Sequence, residues 1–180
     1  MVIKTKVSQN NKFIPIKGDL FDYLEDRIKA GNNGSSVIVP HVCNNIDLFG
    51  AGFAAAVSKH YPVVKENYHL LGKKFLRSNL GYVQYVKTLE DKNYGHSLVF
   101  ANMIAQNSTI SKTNPRPLNY KYLIQCMIDI DKFIRSKYQE QKIEIHMPKF
   151  GCGLAGGNWN FIKDLIEDIW SEYNIYVYQI

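Results

Sequence analysis

Ser36 to Ala56 reads SVIVPHVCNNIDLFGAGFAAA and holds the clearest pattern in the chain. Val37-Ile38-Val39 has the β-branched, apolar composition of a buried strand. A polar loop from His41 to Asp47 follows, and Gly50-Ala51-Gly52 then opens an alanine-rich helical segment. Strand, polar turn, small residues and helix is the order in which an α/β protein offers backbone N–H groups to a phosphate. Glycine matters there because a side chain would hold the anion's oxygens away from the amides. Phe150-Gly151-Cys152-Gly153-Leu154-Ala155-Gly156-Gly157 repeats the order, following an apolar strand and preceding a helix. Two such loops predict a site for a ligand with more than one phosphate or sugar.

On the N-terminal side of this pattern, Val2 to Val7 alternates like an edge strand and Ser8 to Asn11 reads as a turn. Phe13-Ile14-Pro15-Ile16 predicts a short strand whose proline favours an edge. Asp19 and Leu20 then lead into a helix to Lys29 with Phe21, Leu24 and Ile28 on one face, and Gly31 to Gly34 breaks it. On the C-terminal side, helices are expected over Gly52–His60 and from Pro62 to about Leu76. Strands follow at Gly81–Lys87 and Leu98–Ile104, joined by a turn over Glu90–Gly95. Gln106 to Pro117 is the longest loop, a length that marks a mobile or functional segment. Leu118–Tyr138 predicts a long amphipathic helix and Lys142–Met147 a strand. Asn158 caps a last helix striped by Trp159, Ile162, Leu165, Ile166 and Ile169, and Ile175–Ile180 closes with a strand. Helices alternating with strands predict an α/β fold with a parallel or mixed sheet covered on both faces. Ligands on such sheets gather at the carboxyl ends of the strands, where Asp19 and both glycine loops fall.

At 180 residues the chain is most simply one domain. Its formal charge of +6 should attract anions. The absence of any run of five or six basic residues argues against a dedicated nucleic-acid arm. Cys43, Cys126 and Cys152 are widely spaced and odd in number, with no Cys/His ligand spacing, so neither structural zinc nor a disulfide framework is expected. That usage, with no apolar leader in residues 1–12 and no membrane-spanning apolar run, favours a cytoplasmic protein.

Gly50-Ala51-Gly52-Phe53-Ala54-Ala55 formally fits the dinucleotide fingerprint G-x-G-x-x-A. The fit fails in context: Asn44 to Gly50 intervene after Cys43, and no acidic residue ends the next strand. Walker A, HExxH and GxSxG are absent.

GDL after the first core strand, HVCNNIDLFGAGFA after the next, MPKFGCGL after a late strand and VYQI at the end together resemble a macro domain, over roughly Phe13 to Ile180. The resemblance is nearest to the terminal ADP-ribose protein glycohydrolases and the fungal ADP-ribose-1″-phosphate phosphatases. It implies a single three-layer α/β/α domain with a mixed central sheet. Its expected partner is ADP-ribose or an ADP-ribosylated substrate, with no metal, no cofactor and a monomer by default. Position by position, Asp19 matches the acceptor of the adenine amino group and Leu20 the backbone contact beside it. Asn44 matches the asparagine at the distal ribose. Gly50, Ala51, Gly52 and Phe53 match one diphosphate loop, and Phe150, Gly151, Cys152, Gly153 and Leu154 the other. Tyr178 matches the residue packed beside adenine.

For catalysis, Lys87 falls where the glycohydrolase lysine stands, but Ala155 replaces the aspartate that assists it and cannot move a proton. His41 matches a histidine of the phosphatase branch that would act as general acid or orient a water, with Asn45 and Asp47 as nearby polar groups to hold that water. The residues also have plainer readings: Asp19 as a helix cap, Asn44 as an Asx turn, Lys87 as a surface lysine and Cys43 and Cys152 as packed thiols. The balance leans to hydrolysis of ADP-ribose 1″-phosphate or of an ADP-ribosyl bond. A non-catalytic ADP-ribose reader is the alternative.

Overall fold

The computed structural model describes residues 13–29, 34–90, 96–139 and 141–179. The strand and turn expected over 2–11, the breaker at 31–33 and the turn at 91–95 lie outside the described residues, as does the side chain of Ile28. Among the described residues six strands form one sheet: β1 (Phe13–Lys17), β2 (Ser36–Asn44), β3 (Val83–Glu90), β4 (Ser97–Gln106), β5 (Ile143–Pro148) and β6 (Asn174–Gln179). Their spatial order is β1-β6-β5-β2-β4-β3. Every pairing is parallel except β3 with β4, so the sheet is mixed, as expected. Pro15 sits in β1, the outermost described strand on its side, where a missing N–H costs least.

Five helices among the described residues cover the sheet: α1 (Leu20–Lys29), α2 (Gly52–His60), α3 (Pro62–Ser78), α4 (Tyr120–Lys137) and α5 (Trp159–Ile169). Successive strand residues face opposite ways, and the core divides accordingly. Val37, Val39, Phe100 and Ile104 pack with Leu20, Phe21, Leu24, Val57, Val64 and Tyr68 of α1 to α3. Ile38, Val99, Ala101 and Met103 pack with Leu123, Met127, Ile130, Ile162 and Ile166 of α4 and α5. These are the three layers.

The sequence predicts an unbroken helix from Pro62, but α3 is interrupted at Gly72, whose φ of 76° only glycine adopts without strain. Asn158 caps α5 as expected, its side chain accepting from the N–H groups of Asn160 and Phe161; Asn119 does the same for α4. Asn158→Ala should lower stability by about 1 kcal/mol, read as a lower denaturant midpoint at unchanged slope.

One buried polar group lies on the α1 face beside β5 and β6. The His146 ring is sandwiched between Tyr23 and Tyr176, each with its centroid 4.4 Å away. Its Nδ1 lies 2.9 Å from the Tyr178 hydroxyl and its Nε2 3.2 Å from Glu144. Arg27 reaches the same carboxylate at 3.3 Å. The His146 hydrogen bond, reinforced by Arg27 and Lys142, holds the Glu144 carboxyl down at about 2, while burial lowers the pKa of His146.

Candidate functional site

At the carboxyl ends of β2, β4 and β5 a cleft of about 540 Å³ opens between the two glycine loops. Of the residues singled out from sequence, His41, Asn44, Gly50, Ala51, Gly52, Phe53, Phe150, Gly151, Gly153 and Leu154 all line it. Gln106, Thr109 and Ile110 form a third wall that sequence reasoning did not assign; the only sign of it was the length of the loop after β4.

The first loop is held by its own asparagine. Asn44 Oδ1 accepts from the N–H groups of Ile46 and Leu48, and its Nδ2 donates to the Leu48 carbonyl. The Tyr68 hydroxyl, from α3, reaches Asn44 as well, 2.8 Å from its carbonyl and 3.0 Å from Oδ1. The Asn44 side chain is therefore an Asx turn that shapes the cleft wall, and its polar atoms are committed to the loop. Asp47 takes a left-handed φ of 65° and meets His69 at 2.6 Å. Asn45 is not among the cleft-lining residues: its Nδ2 donates to Asn107 and its Oδ1 accepts from Ser108 N–H. It ties two loops together, which engages the polar atoms that sequence assigned to holding a water.

The loop delivers the chain into α2 with Ala51 at the cap position, which offers no side-chain acceptor. The first N–H groups of α2 have no intrahelical partner, and the residues that carry them, Gly52, Phe53 and Ala54, line the cleft. With the helix dipole they make this wall attractive to an anion.

The glycines fall into two kinds. A Cβ on Gly157 would lie 2.5 Å from the Gly151 carbonyl, and one on Gly156 2.6 Å from that of Pro115, so the fold itself needs both. Gly50 and Gly153 have no left-handed φ, and a Cβ on either would meet nothing within 4 Å. The fold does not require glycine at these two cleft positions. Their bareness leaves space and exposed amides for whatever enters.

His41 is not at the start of a loop, as the sequence suggests, but inside β2, because β2 continues to Asn44. It is only 1% exposed. Asn102, its partner in the β2–β4 register, donates through Nδ2 to Gln84 Oε1, and Gln84 Nε2 donates to the Asn67 carbonyl. Asn102 Oδ1 must therefore accept, at 2.6 Å, a proton carried on His41 Nε2. Nδ1 is left as an acceptor facing the Cys43 thiol at 3.7 Å. Burial lowers the pKa of His41 to about 4, against the weaker opposite pull of Asn102. At neutral pH the imidazole is therefore mainly uncharged. Burial thus favours a neutral, hydrogen-bonded His41 on the cleft wall over the general acid expected from sequence.

Lys87 is also corrected. It lies on β3, beyond β4 at the far side of the sheet, opposite Val99 near the start of β4. That is the amino end of the parallel strands, about 20 Å along the sheet from the cleft. Its Nζ is 2.8 Å from Glu90 in an exposed pair. Asp19 caps α1, its Oδ1 accepting from Phe21 N–H at 2.9 Å. It is exposed at the end of β1, two strands (about 10 Å) from β5, and Phe21 stacks on the cleft residue Phe53 at 5.5 Å. Leu20 and Tyr178 are core residues outside the cleft lining. Cys152 also lies off the lining; its thiol donates to the Phe150 carbonyl, and burial pushes the thiol up. Burial raises the Cys43 thiol far more. Among the described lining residues Lys149 is the one Lys, Arg, Asp or Glu. No group of three or more metal-ligating side chains occurs among the described residues, nor does a helix long and apolar enough to cross a membrane.

No protein-family model matches the chain. A solved protein of unknown function from Bacteroides thetaiotaomicron is 30% identical with a TM-score of 0.72, covering 93% of this chain and 97% of that one. The macrodomain protein from Streptomyces coelicolor superposes with a TM-score of 0.62 at 24% identity, covering 93% of this chain and 98% of its own. Among curated proteins, the ADP-ribose 1″-phosphate phosphatase of Candida albicans is 27% identical over 168 residues, 90% of this chain and 97% of that protein.

Proposed function

We propose that this chain, which shares its fold with the Streptomyces macrodomain protein, is itself a macro domain whose cleft binds ADP-ribose, with the diphosphate between the N-terminus of α2 and the Gly151–Leu154 turn. The observation that carries the reading is the pairing of an uncapped helix start with Gly50 and Gly153, two glycines the fold does not need, on one cavity. Adenine then lies toward Asp19, whose carboxylate is the polar acceptor at the β1 end. The distal ribose lies toward β2 and the 107–119 loop. Three free cysteines suit a reducing, cytoplasmic setting.

The name of the Candida relative supports a second reading, hydrolysis of ADP-ribose 1″-phosphate. Against it stands the chemistry of the lining: a neutral imidazole, a protonated thiol and one lysine offer no acid–base pair. Binding is therefore the primary function proposed. Titration of ¹⁵N-labelled protein with ADP-ribose tests it. The amide signals of Gly50–Ala54 and Gly151–Leu154 should move, and that of Lys87 should stay still. Shifts confined to other surfaces would reject the site. Phosphate release from ADP-ribose 1″-phosphate, if seen, should persist in Lys87→Ala, since that side chain is on the wrong end of the sheet.

A further inference from the structure

The wall at the start of α2 is only as well shaped as the segment that leads into it. Residues 45–51, between β2 and α2, belong to neither strand nor helix. Left to itself, such a stretch would lose conformational freedom whenever a ligand ordered it. Here two successive residues of α3 grip it from different sides, because neighbouring helical positions point about 100° apart. Tyr68, fully buried, donates its hydroxyl to the Asn44 carbonyl and sets its ring 5.0 Å from that of Phe49. His69 meets Asp47 at 2.6 Å, and because a carboxylate can only accept, its Nδ1–H is the donor. That contact fastens Asp47 at its left-handed φ of 65°, a conformation uncommon outside glycine. Neither Tyr68 nor His69 is among the residues lining the cleft.

We propose that Tyr68 and His69 are positioning residues of the anion wall: their grip on Asn44, Asp47 and Phe49 fixes the pose of Gly50–Ala54 before a ligand arrives. The inference rests on the ADP-ribose reading for its ligand, while the grip itself is a property of the free protein. The contacts fall where this role needs them. Phe49, the last residue gripped, immediately precedes Gly50, so little slack separates the anchor from the bare backbone of the wall. A donor set ordered in advance binds more tightly, because the cost of ordering it is met on folding. The second glycine loop supplies an internal contrast. Among the described hydrogen bonds its backbone is tied to itself and to Leu118, not to α3.

The test uses His69→Ala, Asp47→Gly and the two together, with Tyr68→Phe to delete the hydroxyl alone. Glycine adopts a left-handed φ freely, so Asp47→Gly removes the tie without straining the backbone. His69→Ala and Asp47→Gly should each bind ADP-ribose about tenfold more weakly. The double variant should lose no more than about tenfold, because both substitutions cut the same contact. Without ligand, the ¹⁵N amide signals of Gly50–Ala54 should shift or broaden in His69→Ala and in Tyr68→Phe, while those of Gly151–Leu154 stay in place. Wild-type affinity in both single variants would overturn the proposal, as would losses that multiply in the double variant. Amide changes spread evenly over both glycine loops would do the same, since they mark a general loss of structure. If the wild type binds no ADP-ribose, the parent reading falls. The spectra of the free variants then decide by themselves whether α3 positions the wall.

Discussion

Gly50→Val should reduce ADP-ribose affinity by at least about 100-fold, or about 2.7 kcal/mol, while leaving the protein as stable as the wild type. The backbone there is not left-handed and a Cβ meets no atom within 4 Å, so the fold leaves room for a side chain to begin at this position. The new side chain occupies space the ligand is proposed to use and screens the N–H groups at the start of α2. Gly157→Ala is the contrasting control. Its methyl group would press on the Gly151 carbonyl and the Leu118 side chain, each 2.5 Å away, so it should cost stability by about 1–3 kcal/mol. Thermal midpoints and calorimetric affinities for the two variants should therefore separate: Gly50→Val stable and unable to bind, Gly157→Ala destabilised. A Gly50→Val protein with wild-type affinity would mean that the ligand does not approach this loop.

Acid should weaken the fold in two stages. His41 has a folded pKa of about 4, below the ordinary 6.5, because burial disfavours its cation. Between those values the unfolded chain holds more protons, so stability is complete above about pH 6.5 and falls as the pH drops toward 4. The full difference is about 3 kcal/mol. His146, also lowered by burial, acts with the same sign. Glu144 follows below: held at about 2 against an ordinary 4.5 chiefly by its His146 hydrogen bond, it contributes stability above 4.5 that is lost as the pH falls to 2. Denaturant midpoints measured from pH 8 to pH 3 should show both stages. His41→Gln should flatten the upper one, at the cost of an imperfectly satisfied Asn102. Stability that holds level from pH 7 to pH 4 would contradict the neutral, buried histidine.

The histidine also marks where sequence stops short. The two glycine loops could be placed because their signal is local: an apolar run, a turn and a helix start. Asn158 as a cap and the division of helices and strands were legible for the same reason, whereas the pattern left a parallel or a mixed sheet open and only the resemblance implied the mixed one. What decides His41 is the parallel register with β4 that sets it against Asn102, and the longer β2 that encloses it, both products of distant segments. Lys87 was misjudged likewise, since alternation identifies β3 as a strand but not its position beyond β4 or its reversed direction. Asn44 and Asn45 are adjacent and chemically identical, yet one shapes the cleft wall and the other ties down the 107–119 loop. Only the folded chain separates them.

Calorimetric titration of the wild-type protein with ADP-ribose, with AMP in a parallel titration, is the most direct measurement. One-to-one binding at micromolar affinity, with AMP at least about tenfold weaker for want of the second phosphate and the distal ribose, is the predicted result. No heat with ADP-ribose, or AMP binding equally well, would mean that the two glycine loops do not cradle a diphosphate between them.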